Sequence, residues 1–306
     1  MAHKIGPGDA VFTTNFSFFA TAEVISLVGA TPIFIDIDES TFNISPNLLE
    51  LEINKVIKDG KLNARAIISV DLFGLLADYS EIERISKKFN LFLIEDAAQS
   101  FGATYNNKKS CSFGDASATS FYPAKPLGCY GDGGAIFTDN DNLADICKSI
   151  RVHGEGKDKY HNIRVGLNSR LDTIQSTILL NKMKIFNEEL KLRNLVAKEY
   201  TEKLPDNVKK QYIPKGFISS WAQYSILCNN EDERDDIINL LNKESIPTAV
   251  FYRVPFNENK LYSSKVLNSF PISRKISKCI LSLPMHPYLR NEEISTITSL
   301  ISTYYK

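Results

Sequence analysis

The segment Leu91-Phe-Leu-Ile-Glu-Asp-Ala-Ala-Gln99 decides the fold, because a short apolar run ends there in two acids. Four consecutive apolar residues, Leu91 to Ile94, are typical of a strand buried on both faces of a parallel sheet. Ligands of open α/β sheets bind at the carboxyl ends of such strands, so we expect Asp96 to lie beside a ligand. The alternative is that Glu95 and Asp96 only cap a following helix.

Outward from this strand, apolar runs alternate with helical patterns, which is the βαβ order of a mostly parallel sheet. The chain is therefore predicted to be an α/β protein with helices on both faces of the sheet. The predicted strands are residues 10–14, 32–37, 64–70, 91–94, 116–121 and 134–138, and the predicted helices are residues 20–27, 48–58, 79–89 and 143–151.

The C-terminal part follows a different rhythm and is predicted to be a smaller α+β domain. A helix over 172–202 connects to it, and we expect strands at 223–227 and 248–252 and helices at 231–243 and 292–305. The predicted division is a large domain, residues 1–204, and a small domain, residues 205–306. The polar stretch 154–160 is predicted to be a mobile loop.

The stretch Ser120-Phe-Tyr-Pro-Ala-Lys-Pro-Leu-Gly-Cys-Tyr-Gly-Asp-Gly-Gly134 places Lys125 among prolines and glycines. A lysine amine forms a Schiff base with an aldehyde, and a carboxylate keeps a pyridine nitrogen protonated. Lys125 and Asp96 are therefore candidates for pyridoxal phosphate chemistry. A lone lysine usually lies at the solvated surface, but the small residues around Lys125 suit a backbone that approaches a ligand closely.

Composition argues against several other classes of protein. The 306 residues include 36 basic and 36 acidic side chains, so no net positive field attracts nucleic acid or anionic membranes, and we expect neither partner. The five cysteines are scattered and odd in number, which predicts reduced thiols and no metal site. No leader or membrane-spanning run is visible, so a cytoplasmic location is expected.

Eight sequence blocks resemble the DegT-type sugar aminotransferases, which are fold type I pyridoxal phosphate enzymes that aminate keto-sugar nucleotides. Three shorter stretches, 126–130, 163–166 and 284–288, are most similar to the UDP-N-acetyl-3-keto-glucuronate aminotransferases of bacterial O-antigen synthesis. The resemblance implies glutamate as amino donor and a homodimer with shared active sites. The eight blocks are residues 6–9, 16–23, 28–38, 95–102, 120–134, 160–161, 168–172 and 283–288.

The resemblance also implies roles at the cofactor. Lys125 would hold it, and Asp96 would keep its ring nitrogen charged. Gln99 would bond its phenolic oxygen, Ser120 its phosphate, and the Phe16 ring would stack on the pyridine. Plain alternatives stay open: Gln99 as a surface residue, Ser120 as a turn serine and Phe16 as a core residue.

Four further residues are implied to bind substrate or to reach a neighbouring subunit. Asn168 would reach toward the neighbour's cofactor phosphate and Arg170 toward its substrate, where a guanidinium suits a carboxylate or diphosphate. The alternative is that Asn168 caps a helix and Arg170 lies in its first turn. His286 and Tyr288 would line the substrate pocket, although His286 could equally be structural.

The sequence departs from the family pattern in two places. Family members carry a further N-terminal segment before the point that matches residues 4–8, where a Gly-Thr turn and a helix N-terminus grip the phosphate. A catalytically silent fragment or pseudoenzyme is therefore the alternative hypothesis. Phe251 and Arg253 stand where relatives have histidine and proline. The presence of Lys125 disfavours the related sugar dehydratases, which carry histidine at that position.

Overall fold

Strands and helices alternate along the part of the chain that the computed structural model describes, residues 1–263 and 269–305. The strands, in chain order, are β1 (Asp9–Thr14), β2 (Thr31–Ile35), β3 (Asn63–Val70), β4 (Phe92–Asp96), β5 (Thr104–Tyr105), β6 (Lys108–Lys109), β7 (Ala116–Ser120), β8 (Gly134–Phe137), β9 (Lys209–Lys210), β10 (Phe217–Ile218), β11 (Tyr224–Leu227) and β12 (Ile280–Leu283). The helices are α1 (Ala20–Leu27), α2 (Pro46–Asp59), α3 (Tyr79–Phe89), α4 (Asp141–Ile150), α5 (Thr173–Lys203), α6 (Glu231–Lys243), α7 (Pro271–Cys279) and α8 (Asn291–Tyr304).

The central sheet has six strands in the spatial order β2-β1-β3-β4-β7-β8. The first five run parallel, and β8 pairs with β7 antiparallel. The predicted, mostly parallel sheet is thus confirmed. Because β3, β4 and β7 are parallel neighbours, their carboxyl ends meet at one edge of the sheet.

Local sequence signals explain where the helices on this sheet begin and end. The Ser45 side chain accepts a hydrogen bond from the backbone N–H of Leu48 and caps α2, which ends at Gly60 with φ 68°. The Asp78 side chain caps α3 in the same way, and Asn90 ends it with φ 51°. α2 and α3 each bury one apolar stripe against the sheet, and Phe12, Ile67, Leu49 and Ile82 lie in that fully buried core.

The C-terminal residues form a second core around a small antiparallel sheet of order β12-β11-β9. The second half of α5 belongs to this core, because Tyr200 is fully buried there and its ring stacks on Tyr224 at 4.9 Å. α8 covers the same core with Ile297 and Ile301. A boundary at residue 204 stays a prediction.

One expectation for the C-terminal part was wrong, and one helix was missed. The predicted strand at 248–252 is a single bridge, in which Ala249 pairs with Ser282 before the chain turns away. Helix α7 was not predicted, although Pro271 in its first turn and Ile272, Ile276 and Cys279 at helical spacing mark it.

Within residues 1–263 and 269–305, no helix combines the length and the apolar composition that crossing a membrane requires. The same residues hold no group of three or more His, Cys, Asp or Glu side chains arranged to bind a metal. All five cysteines are unpaired.

Candidate active site

Asp96 ends β4 at the carboxyl edge of the sheet, where the sequence predicted a ligand-binding acid. Its carboxylate is half-buried and accepts hydrogen bonds from Thr21 Oγ1 at 2.9 Å and from the backbone N–H of Ala98 at 3.2 Å. Burial raises the pKa of Asp96, while these two bonds and the charge of Lys125 act in the opposite direction. Residues 97–102 form turns, so Asp96 does not cap a helix. The two donors fix the direction in which the acid points.

Lys125 lies in the tight loop between β7 and β8. Its backbone N–H donates to Tyr122 O at 2.9 Å, and a Cβ at Gly128 would lie 2.6 Å from Pro123 O, so the loop closes too tightly for any residue but glycine there. The lysine is half-buried, and burial lowers its pKa while the charge of Asp96 raises it. An amine whose pKa is lowered by burial is a better nucleophile at neutral pH.

Gln99 is buried at the same edge, which excludes the surface alternative. Its Oε1 accepts a hydrogen bond from the backbone N–H of Phe73 at 2.6 Å, and its Nε2 donates to Tyr252 Oη at 3.1 Å. The side chain is therefore held firmly beside the site.

The aromatic ring at this edge is Phe18 rather than Phe16. Phe16 is fully buried in a core cluster with Ile37 and Val70, as its alternative role required, and it has no open face to offer a ligand. Phe18 is 56% exposed, lies three residues before Thr21 and packs against Tyr252 with ring centroids 6.4 Å apart. The stacking role proposed for Phe16 is therefore better suited to Phe18.

Tyr252 was missed as a site residue. It contacts Gln99 through its hydroxyl and both Phe16 and Phe18 through its ring. Burial raises the pKa of its phenol, so it remains an uncharged hydrogen-bonding group. The available signal was its position in the 251–253 stretch, which departs from the family pattern.

Ser120 lies at the start of the Lys125 loop, and Asn168 and Arg170 lie in the segment that precedes α5. Ser120 ends β7, and its Oγ accepts a hydrogen bond from the backbone N–H of Tyr122 at 3.2 Å, the contact of a turn serine. Asn168 and Arg170 are exposed, and Arg170 Nε donates to Asn168 Oδ1 at 3.2 Å. The residue that precedes α5 is Asp172, so Asn168 does not cap that helix.

Tyr288 contacts α5, and no hydrogen bond among the described residues joins it or His286 to Lys125, Asp96 or Gln99. Both are exposed, and the Tyr288 hydroxyl donates to Glu189 Oε1 at 2.7 Å. The backbone N–H of Tyr288 donates to His286 Nδ1 at 3.2 Å. Their predicted role in substrate binding stays a prediction.

The fold and this site together define a pyridoxal phosphate-type transferase, with an oriented acid at a strand end and a desolvated lysine on the adjacent loop. The chain belongs to the DegT/DnrJ/EryC1/StrS aminotransferase family, whose model matches residues 1–302. By family it is a nucleotide-sugar aminotransferase that depends on pyridoxal phosphate.

Relatives and solved structures agree with this assignment. The chain is 44% identical, over 99% of its length and 81% of the relative's, to UDP-2-acetamido-2-deoxy-3-oxo-D-glucuronate aminotransferase of Pseudomonas aeruginosa. It is 35% identical to UDP-N-acetyl-3-dehydro-alpha-D-glucosamine 3-aminotransferase of Acidithiobacillus ferrooxidans, over 98% of this chain and 79% of the relative. A crystal structure of a family aminotransferase from Brucella abortus superposes with TM-score 0.95 at 46% identity, covering 99% of this chain and 81% of that one.

The side chains present suit the ring of pyridoxal phosphate. Asp96 offers a fixed carboxylate to a pyridinium nitrogen, Lys125 an amine to an aldehyde, and Phe18 an open aromatic face. Gln99 and Tyr252 add a hydrogen-bonding pair at the same edge. These groups would hold the ring between an acid, an amine and an aromatic side chain.

Proposed function

We propose that this chain transfers an amino group from glutamate to a UDP-linked 3-keto-hexuronate, for the synthesis of a bacterial surface polysaccharide such as O-antigen. The substrate class is supported by the 44% identity to the Pseudomonas aeruginosa enzyme, whose name specifies a 3-oxo-glucuronate carried by UDP. The observation that carries the reaction type is the pairing of a half-buried Lys125 with a hydrogen-bonded Asp96.

Each residue of the pair has a distinct task in this proposal. When bound, pyridoxal phosphate supplies an electron sink for the pair of electrons left at the carbon next to the transferred nitrogen. Lys125 Nζ would hold the cofactor through its aldehyde and, when free, would take a proton from the carbon that carries the nitrogen in the donor and supply one to the carbon that receives it in the sugar. Asp96 favours the protonated pyridine nitrogen through its opposite charge.

The surrounding residues orient the ring. Gln99 is fixed by the N–H of Phe73, so its Nε2 and the Tyr252 hydroxyl can orient the phenolic oxygen. The Phe18 ring would cover one face of the pyridine, in the role first given to Phe16. Ser120, at the end of β7, would meet the phosphate with its hydroxyl.

We further propose a homodimer in which Asn168 and Arg170 of one copy complete the site of the other. Both side chains are exposed in the single chain, and three large apolar side chains before and along the first turns of α5 are exposed as well: Val165 is 81%, Ile174 73% and Leu180 65% exposed. Contact of these side chains with a second copy would remove apolar surface from water. Arg170 would then recognise the uronate carboxylate or the diphosphate.

The alternative is a catalytically silent chain, and a spectrum distinguishes the two. We expect purified protein with pyridoxal phosphate to show the visible band of lysine-bound cofactor, and glutamate to bleach it. Lys125→Ala should lose the band, whereas Lys61→Ala, at a lysine whose side chain is 80% exposed, should keep it. A wild-type chain without the band, or with a band that glutamate leaves unchanged, would support the silent alternative.

We also propose that the reaction takes place in the cytosol. The five unpaired thiols are stable in a reducing compartment. Fractionation followed by immunoblotting tests this, and recovery in a secreted fraction would contradict it.

A further inference from the structure

Two buried acids, Asp71 and Glu95, lie directly beneath the candidate site. Asp71 follows β3, Glu95 precedes Asp96 in β4, and neither side chain is exposed to solvent. The two carboxyl groups are close enough for the charge of Glu95 to raise the pKa of Asp71. Among the described residues, no Lys, Arg or His forms an ion pair with either of them. Two carboxylates buried together without a cation repel each other, which favours the state in which one of them is protonated.

The hydrogen-bond donors show which of the two acids is charged. Each Glu95 oxygen accepts from a backbone amide: Oε1 from Cys111 at 2.8 Å and Oε2 from Phe113 at 2.9 Å. Backbone amides cannot change direction to suit a protonated acid, so Glu95 is best satisfied as a carboxylate.

Asp71 has the opposite arrangement. Its Oδ1 accepts from the backbone N–H of Ala77 at 3.0 Å and from the Tyr79 hydroxyl at 2.9 Å. Its Oδ2 lies 2.7 Å from Ser100 Oγ, a hydroxyl that can either donate or accept. Ser100 Oγ is in turn 2.7 Å from Ser110 Oγ. Oδ2 is therefore the atom that can carry a proton while every neighbour keeps a partner.

The charged and titratable groups around the pair agree with one neutral acid. Burial and the charge of Glu95 raise the pKa of Asp71 well above its ordinary value. Burial keeps the Tyr79 phenol on α3 protonated, and it raises the pKa of the Cys111 thiol to about 12. Apart from Glu95, the neighbours of Asp71 are thus uncharged at neutral pH.

The pair is connected to the site through short links. The backbone N–H of Asp71 donates to Asp96 O at 3.1 Å, Glu95 is the residue before Asp96, and Ser100 is the residue after Gln99. We infer that Asp71 is a neutral carboxylic acid which, together with the carboxylate of Glu95, positions Asp96 and Gln99 for cofactor binding. The value of this positioning rests on the proposed function, whereas the protonation of Asp71 does not.

Variants at Asp71 test the protonation in the cofactor-free protein. Asp71→Asn keeps an acceptor oxygen and replaces the acid O–H by an N–H, so we expect it to fold. Infrared difference spectra at neutral pH should show the carbonyl stretch of a protonated carboxylic acid in the wild type and its loss in Asp71→Asn. A wild type without this band, or its persistence in Asp71→Asn, would overturn the assignment.

Matched variants test the positioning through cofactor affinity. Asp71→Ala should weaken pyridoxal phosphate binding at least tenfold, and Asp71→Asn should restore it to within threefold of wild type. Glu95→Gln should not match the wild type in affinity for pyridoxal phosphate, because the new NH₂ group would face the backbone N–H of Cys111 or of Phe113. Equal affinity of the Ala and Asn variants, or weak binding by Asp71→Asn, would contradict positioning by a neutral acid. If the wild type binds no cofactor while the infrared result holds, the proposed function fails and the protonation stands.

Discussion

Two parts of the central sheet differ sharply in how far helices cover them. At β1, β3 and β4, which we call the closed half, α2 and α3 seal the sheet, and residues such as Ile67 are fully buried. At β7, β8 and α4, the open half, Ile136 is 59% exposed and none of the described residues of α4 is buried. A cleft of about 1460 Å³ lies between these elements.

This difference places the two key residues in unlike surroundings. Asp96 ends a strand of the closed half and is held by fixed donors, whereas Lys125 comes from the loop that joins the two strands of the open half. Neither residue lines the large cleft, which runs beside β7 and β8 down to Arg170. The site therefore combines a rigid acid with an amine whose loop joins strands that are more exposed to solvent.

The largest effect is expected at Lys125, the residue of the open half that faces Asp96 of the closed half. Lys125→Ala should reduce amino transfer by more than about 100-fold, since a positioned acid–base group contributes that much or more. Steady-state kinetics with glutamate and a keto-sugar nucleotide would measure it, with Lys61→Ala as the control. Transfer at wild-type rate by Lys125→Ala would remove the proposed role.

The closed and open halves should respond differently to loss of the same side chain. Ile67→Ala should lower the free energy of unfolding by about 2–5 kcal/mol, because it leaves a cavity in a sealed core. Ile136→Ala, at an exposed position, should change it by no more than about 0.5 kcal/mol. Denaturant titrations would compare them, and equal losses would refute the contrast.

Two neighbouring phenylalanines should separate stability from cofactor binding. Phe16→Ala should destabilise the fold by about 3–5 kcal/mol, whereas Phe18→Ala should leave it nearly unchanged. Phe18→Ala should instead weaken pyridoxal phosphate binding by roughly 3–10-fold, the value of one aromatic contact. Thermal unfolding and spectroscopic titration measure the two effects, and the reverse pattern would return the stacking role to Phe16.

Asp71 should make the stability of the closed half fall as pH rises above the unfolded-state pKa of this acid. Its pKa is higher in the folded chain than in the unfolded one, so its stabilising effect is present at low pH and is lost as pH rises toward the folded-state pKa. The wild type should therefore lose stability relative to Asp71→Asn with rising pH. Denaturation midpoints of both proteins across the pH range would check this, and parallel curves would argue against a protonated Asp71.

The smallest effect concerns the coupling of Lys125 to Asp96. Burial lowers the pKa of Lys125, and the negative charge of Asp96 raises it. Asp96→Asn removes that charge, so the pH at which the lysine captures pyridoxal phosphate half-maximally should shift downward. Stopped-flow absorbance against pH measures the shift, and an upward shift would contradict the coupling.

Much of the closed half could be predicted from sequence because its signals are local. Apolar runs in a βαβ order predicted the sheet, and a strand ending in an acid pointed to Asp96. Lys125 was found in the same way, since the glycines and prolines of its loop lie beside it in the chain.

The residues that were missed depend on contacts between distant parts of the chain. Tyr252 meets Gln99 across 153 positions, and no local pattern marks that approach. The choice between Phe16 and Phe18 depends on how the chain turns from β1 into α1, which the composition of that stretch does not show. Asp71 and Glu95 form a pair only because β3 and β4 are neighbours in the sheet.

The most direct test of the central claim is to trap the cofactor on the chain. Pyridoxal phosphate would be added, the complex reduced with borohydride, and the labelled peptide located by mass spectrometry. We predict a single label on Lys125 that prior incubation with glutamate removes. A label on another lysine, or none on Lys125, would contradict the assignment of Lys125 and Asp96 as an amino-transfer site.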